Sequence, residues 1–138
     1  IRPRAGTESI DVSNAYLEIT DTDKKIILKY NNSFYSKPTG LNDIFSANVF
    51  PDDENISGTQ FGILILEDAD NSVSQTTPLM NRGDKVCICI NTTGCFDDLS
   101  KGSDIWGTFV PEEGAPAYFK FRTPYTYSNN VMEILLDM

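Results

Sequence analysis

Six consecutive residues, Glu67-Asp68-Ala69-Asp70-Asn71-Ser72, concentrate oxygen donors directly behind an apolar run. Alternating Asp68, Asp70 and Ser72 can turn their oxygens inward from a tight loop, as a hard cation such as calcium or magnesium requires. An EF-hand is excluded, because no Gly or terminal Glu falls at the required positions. The competing reading is a solvated polar strand end. Asp21-Thr22-Asp23 and Asp52-Asp53-Glu54 are weaker candidates and read as exposed turns.

Catalytic chemistry has little to work with. The chain contains no histidine, which removes Ser-His-Asp and Cys-His arrangements and any Cys/His zinc site. It has neither a Gly-x-Ser-x-Gly elbow nor a phosphate-binding loop. A glycosidase would need two facing carboxylates in a cleft, whereas the acidic residues here cluster in turns. The expectation is a protein that is not an enzyme.

Three cysteines, Cys87, Cys89 and Cys95, admit two readings. Cys87 and Cys89 lie two apart on one predicted strand, where an extended backbone does not let them bridge each other. Cys95 follows Asn91-Thr92-Thr93-Gly94, so a bridge back to Cys89 or to Cys87 is one reading, and three small buried apolar residues the other. Three Asn-x-Ser/Thr sequons begin at Asn31, Asn55 and Asn91, all in predicted loops where a glycan would be accessible. Arg82-Gly83-Asp84 matches a cell-adhesion tripeptide, but reads more simply as a turn before a strand. Tyr118, Tyr125 and Tyr127 suit either a sugar-stacking platform or a subunit contact.

The elements that must position these groups read as strands. Ala15 to Thr20 alternates cleanly, Asp21 to Lys24 is a polar turn, and Lys25 to Tyr30 is the returning strand. Residues 31–58 form a long excursion with one short helical turn at 41–45. Phe61 to Leu66 is a continuous apolar run, as expected of a central strand buried on both faces. Residues 72–83 read as a connection, Lys85 to Ile90 as a second apolar strand, and 91–104 as a loop. In 105–122, Pro111, Gly114 and Pro116 fix a stiff acidic corner between two strands. Ala117, Phe119 and Phe121 alternate with Tyr118, Lys120 and Arg122, the period-two mark of a strand with one buried face. A last strand is expected at Val131 to Leu136. The total is about seven or more antiparallel strands in one domain spanning 1–138, a β-sandwich or barrel.

Composition agrees with a folded domain. Of 138 residues, 40% are hydrophobic and 22% charged, and the net charge is −9. An acidic surface repels phosphate backbones, so nucleic acid is not an expected partner. No apolar run approaches the roughly 18 residues of a membrane span.

The stretch 83–134 resembles the C-terminal part of archaellins, the subunits of the archaeal flagellar filament. The resemblance rests on Gly83-Asp84 before Val86-Cys87-Ile88-Cys89-Ile90, on Pro111-Glu112-Glu113-Gly114-Ala115-Pro116, on Phe121-Arg122-Thr123-Pro124, and on Val131-Met132-Glu133-Ile134. It implies an immunoglobulin-like β-sandwich forming the outer domain of an extracellular filament subunit for swimming motility and surface adhesion. Family members hold a divalent metal, which the resemblance carries to Glu67, Asp68 and Asp70, and are commonly N-glycosylated, which bears on Asn31, Asn55 and Asn91. Their partners are further archaellins, joined through an apolar N-terminal helix. Without that helix the present chain is expected to be a monomer. The alternative from another class is a secreted carbohydrate-binding or adhesin module, favoured by a concave aromatic row on one sheet.

Overall fold

The computed structural model of the protein describes residues 1–6, 8–38, 49–50, 58–97 and 99–128. The expected last strand at 131–136, the helical turn at 41–45 and the sequon at Asn55 lie outside these residues.

Alternation of buried and exposed side chains builds the strands. β1 (Ile10–Asp11) runs into a single 3₁₀ turn at Val12–Asn14, capped by the Asp11 carboxylate accepting from Ser13 N at 2.9 Å. β2 (Tyr16–Thr20) buries Leu17 and Ile19, and β3 (Lys25–Ser36) buries Ile26 and Leu28. The turn between them is closed by Asp21, whose Oδ1 accepts from the amides of Asp23 and Lys24 at 2.8 and 2.6 Å, as an Asx turn requires. β3 does not stop at Tyr30. It continues through Asn31 to Ser36, with a register shift between Tyr30 and Tyr35 where it pairs with β4 (Gln60–Glu67). The polar Asn31-Asn32-Ser33 is therefore an irregularity within a strand, not the start of a loop.

β5 (Leu79–Met80) pairs with β1 as a two-stranded sheet, where the sequence shows only a connection. β6 (Lys85–Cys89) pairs antiparallel with β4, and a one-turn helix α1 (Thr92–Phe96) follows, its N-cap supplied by Asn91. β7 (Asp104–Val110) and β8 (Ala117–Arg122) form the expected hairpin. The main sheet has the order β6-β4-β3-β2-β7-β8. The fold is thus all-β, with eight strands among the described residues. Every pairing is antiparallel except β3 with β4. The long connection at 37–59 makes a parallel neighbour feasible, since parallel strands need a crossover of a dozen residues or more.

Two clusters of apolar side chains flank β4. Phe61, Ile63 and Ile65 join the main core with Leu17, Ile19, Leu28, Met80, Val86 and Ile105. Leu64 turns the other way, onto Phe34 and Val49, with Phe50, Cys87 and Cys89 packed against them. This is the two-faced burial expected of that run. Gly62 permits it: a Cβ there would sit 2.7 Å from Phe34 Cβ and 2.7 Å from Val49 Cγ1. Gly107 does the same for the hairpin, because a Cβ would fall 2.0 Å from Phe119 Cζ.

Candidate functional site

The acidic loop begins where β4 ends. Asn71 takes φ 58°, a left-handed conformation that Asn tolerates better than most residues, and the loop folds back on itself. The Ser72 amide donates to Asp68 Oδ1 at 3.0 Å and to Asp70 Oδ1 at 3.2 Å. From the other side, the turn before β6 closes in. Asn81 Nδ2 donates to Asp70 Oδ2 at 2.6 Å and to Ser72 Oγ at 3.0 Å. The Asn81 amide donates to Asp84 Oδ2 at 2.7 Å, and Ser72 Oγ donates to the same oxygen at 3.2 Å.

Carboxylate oxygens of Asp68, Asp70 and Asp84 consequently lie within 4.8 Å of one another. The Asp68 side chain is fully buried, and Asp84 is 3% exposed. Among the described residues one cation reaches the group: Lys37 Nζ lies 2.7 Å from Asp68 Oδ2 and 2.7 Å from Asn71 Oδ1. The Asp68 hydrogen bond pushes the Lys37 ammonium pKa up. Hydrogen bonds from Asn81 and Ser72 hold the Asp70 carboxyl below its ordinary value. Buried charge is costly unless paired and hydrogen-bonded; here one ammonium faces three carboxylates.

Of the sequence-derived candidates, Asp68 and Asp70 come together. Glu67 does not: it is exposed, next to the register shift that follows Ile65, and stands outside the group. Asp84 takes its place. The signal for Asp84 was the Gly83-Asp84 step itself. Gly83 at φ 106° turns the chain so that the carboxylate points into the loop, which also withdraws Asp84 from any adhesion role for Arg82-Gly83-Asp84. The donor set fits a hard divalent cation, since three carboxylates converge with amide and hydroxyl oxygens close by.

The remaining candidates separate. Cys89 and Cys95 are both free thiols. Cys89 packs toward the cluster around Phe34, whereas Cys95 is buried in the main core with its Sγ 3.5 Å from the Gly58 carbonyl oxygen. The Cys89–Cys95 bridge is therefore not made, because the two belong to different clusters. Burial pushes the Cys89 thiol up to about 12 and the Cys95 thiol upward as well, so both stay protonated and inert at neutral pH. Asn31 donates its side-chain nitrogen to Gln60 Oε1 at 3.0 Å. Asn91 instead uses its oxygen, accepting from Gly94 N at 3.2 Å as the cap of α1. Tyr118 stands on the outer face of β8, Tyr125 covers Gly102, and Tyr127 donates to the Leu99 carbonyl at 3.0 Å.

The fold and this site define a β-rich module whose concentrated polar chemistry is a cluster of carboxylates at the end of a buried strand. The family model for archaeal-type flagellin matches residues 1–121. The chain belongs to the archaeal-type flagellin family. It is 38% identical over 127 residues to flagellin B2 of Methanocaldococcus jannaschii, covering 92% of this chain and 58% of that protein. It is 35% identical over 138 residues to flagellin B1 of Methanococcus voltae, covering 97% of this chain and 61% of that protein. The crystal structure of archaeal flagellin FlaB1 from M. jannaschii superposes with a TM-score of 0.76 at 30% identity, covering 93% of this chain and 77% of that one. The chain spans about three-fifths of the length of these curated relatives.

Proposed function

We propose that this chain is the outer, filament-surface part of a flagellin subunit that polymerises with further flagellins into an extracellular helical filament for swimming. The observation that carries this reading is the family match over residues 1–121, supported by the structural likeness to flagellin FlaB1. The role is structural and non-catalytic, and residues 1–138 on their own are monomeric. Electron microscopy of the full-length protein tests it. Thin helical filaments are the expected result, and dispersed particles alone would overturn it.

A second reading rests on the convergence of Asp68, Asp70 and Asp84. These three residues hold one calcium or magnesium ion, with Lys37 as the internal counter-ion when the metal is absent. The ion pins the 68–72 loop to the 81–84 turn, a stabilising rather than a reactive role. Melting temperature measured with and without excess calcium, in the wild type and in Asp84→Asn, tests it. A metal-dependent rise confined to the wild type is expected, and no rise in either protein would sink the idea.

Asn91, whose capping bond uses its side-chain oxygen and not its nitrogen, is the sequon best suited to carry a glycan. Asn31 must first release Gln60. Asn55 completes the set. Intact-mass and peptide mass spectrometry of the native protein would show a glycan at Asn91, and its absence there would refute this assignment.

A further inference from the structure

The outer face of β3, β2, β7 and β8 carries three exposed large apolar side chains, Ile27, Trp106 and Tyr118, among its polar ones. Pairing aligns Ile27, Glu18, Thr108 and Tyr118 across one row and Lys25, Thr20, Trp106 and Lys120 across the next. Ile27 is 51% exposed, Trp106 37% and Tyr118 74%. Lys120 Nζ sits over the Trp106 ring, 5.1 Å from its centroid, a cation–π contact at the surface. A shallow hollow of about 430 Å³ opens between Glu18, Lys25, Trp106, Tyr118 and Lys120. Exposed large aromatic residues gathered on one face are the composition of binding surfaces.

Charge says what such a face would meet. The chain has 20 acidic residues against 11 basic. Yet this face gathers Lys25, Lys29, Lys120 and Arg122 against Glu18 and Asp104; Glu18 pairs with Lys25, and Asp104 with both Lys120 and Arg122, at 2.7 to 3.1 Å, so four cations meet two anions and the face keeps a net positive charge. The complementary feature lies at the far end of the same hairpin. Glu112 and Glu113 are exposed on the corner between Pro111 and Pro116. Asn14 holds Glu112 at 2.9 Å, and Leu79, 37% exposed, lies beside them around a hollow of about 220 Å³.

We propose that the outer sheet face around Trp106 receives the acidic Glu112–Glu113 corner of a second copy of this chain. The corner begins beyond Val110, roughly 15 Å along β7 from Trp106 at about 3.3 Å per residue, and β7 is paired along that length to β2 and β8, so a chain cannot bring its own corner back onto the ring. The contact joins unlike patches, the kind of interface that can repeat along an open helix and does not close as a two-fold dimer. The proposal rests on the filament reading and adds to it which surfaces of the outer domain meet.

Full-length protein assembled from a mixture of isotopically light and heavy copies, treated with a zero-length carbodiimide, tests this directly. The expected product is a mixed-isotope amide link between Lys25 or Lys120 and Glu112 or Glu113. In parallel, Lys25→Glu with Lys120→Glu lowers the polymerised fraction roughly tenfold or more, as like charges across an interface should. Adding Glu112→Lys and Glu113→Lys to that chain restores it, which a folding defect would not allow. Filaments that form normally with the reversed face alone, or whose links fall only elsewhere, overturn the docking surface and leave the filament reading standing. A wild-type chain that never polymerises overturns the reading beneath it. Filaments indifferent to the charge reversal that bind an oligosaccharide through Trp106 overturn the proposal in favour of a sugar site.

Discussion

The acidic loop at one end of β4 and the open face of the β7–β8 hairpin use the same kinds of residue in opposite ways. In the loop, Asp68 and Asp84 turn inward, Asp70 stays exposed, and the three are bonded by Ser72, Asn81 and Lys37. On the face, Asp104 holds Lys120 and Arg122 at the surface, at 3.1 and 2.7 Å, and Trp106 and Tyr118 remain open. The first region spends its polar groups on internal order; the second ties most of its cations into surface pairs and leaves apolar side chains and a net positive charge outside. The loop should therefore be sensitive in stability and the face sensitive in assembly.

The largest effect is expected at Asp84. Asp84→Ala leaves the Asn81 amide and the Ser72 hydroxyl without their acceptor and opens the loop around two remaining carboxylates. The cost is about 2–3 kcal/mol, within the range for orphaned buried partners, measured as a fall in the urea midpoint. A loss below about 0.5 kcal/mol would erase the distinction drawn here.

Gly107→Ala comes next. Its Cβ would meet the Phe119 ring at 2.0 Å, so Phe119 must leave its rotamer, at about 1–3 kcal/mol for overpacking. Thermal unfolding checks it. The change lies on the inner side of the face, so it tests whether the hairpin's rigidity, and not its outer chemistry, carries its stability.

Trp106→Ala sharpens the contrast from outside. Unfolding free energy should fall by about 1 kcal/mol or less, because the ring is a surface side chain whose cation partner is exposed, while polymerisation of the full-length protein collapses. A large loss of fold stability with normal assembly would invert the comparison.

The smallest effect is in acid. Arg122 and Lys120 hold the Asp104 carboxyl at about 2, below its ordinary 3.8. A depressed folded-state pKa contributes stability that is full above 3.8 and is lost as pH falls toward 2. Asp104 is open to solvent, so screening keeps the contribution small. Melting curves at pH 5 and pH 2.5 should differ slightly less in Asp104→Asn than in the wild type. Asp70, also depressed, works in the same direction, so the loop accounts for part of the remaining acid sensitivity.

The hairpin and the buried central strand were legible because their signals are local: period two, fixed proline corners, and an unbroken apolar run. β3 beyond Tyr30 was not, since Asn31-Asn32-Ser33 has the composition of a turn and is held in the sheet by neighbours distant in sequence, such as Gln60. β5 is two residues long and exists only through β1. The acidic loop was half legible. Asp68 and Asp70 announce themselves by spacing, but Asp84 is brought in by the Gly83 turn, and a tripeptide with a familiar surface meaning masked a buried role. Cys89 and Cys95 lie close in sequence yet join different clusters, a separation no spacing rule reports.

β4 has one more consequence, in time rather than energy. Its backbone is bonded to β3 on one side and β6 on the other, and side chains from two clusters cover both its faces. No local opening exposes its amides; the packing of both clusters must give way first. In deuterated water the amides of 61–65 are then the last to exchange. β8, an edge strand among the described residues, turns over earlier, so the face it carries is renewed on a faster clock than the strand that holds the fold.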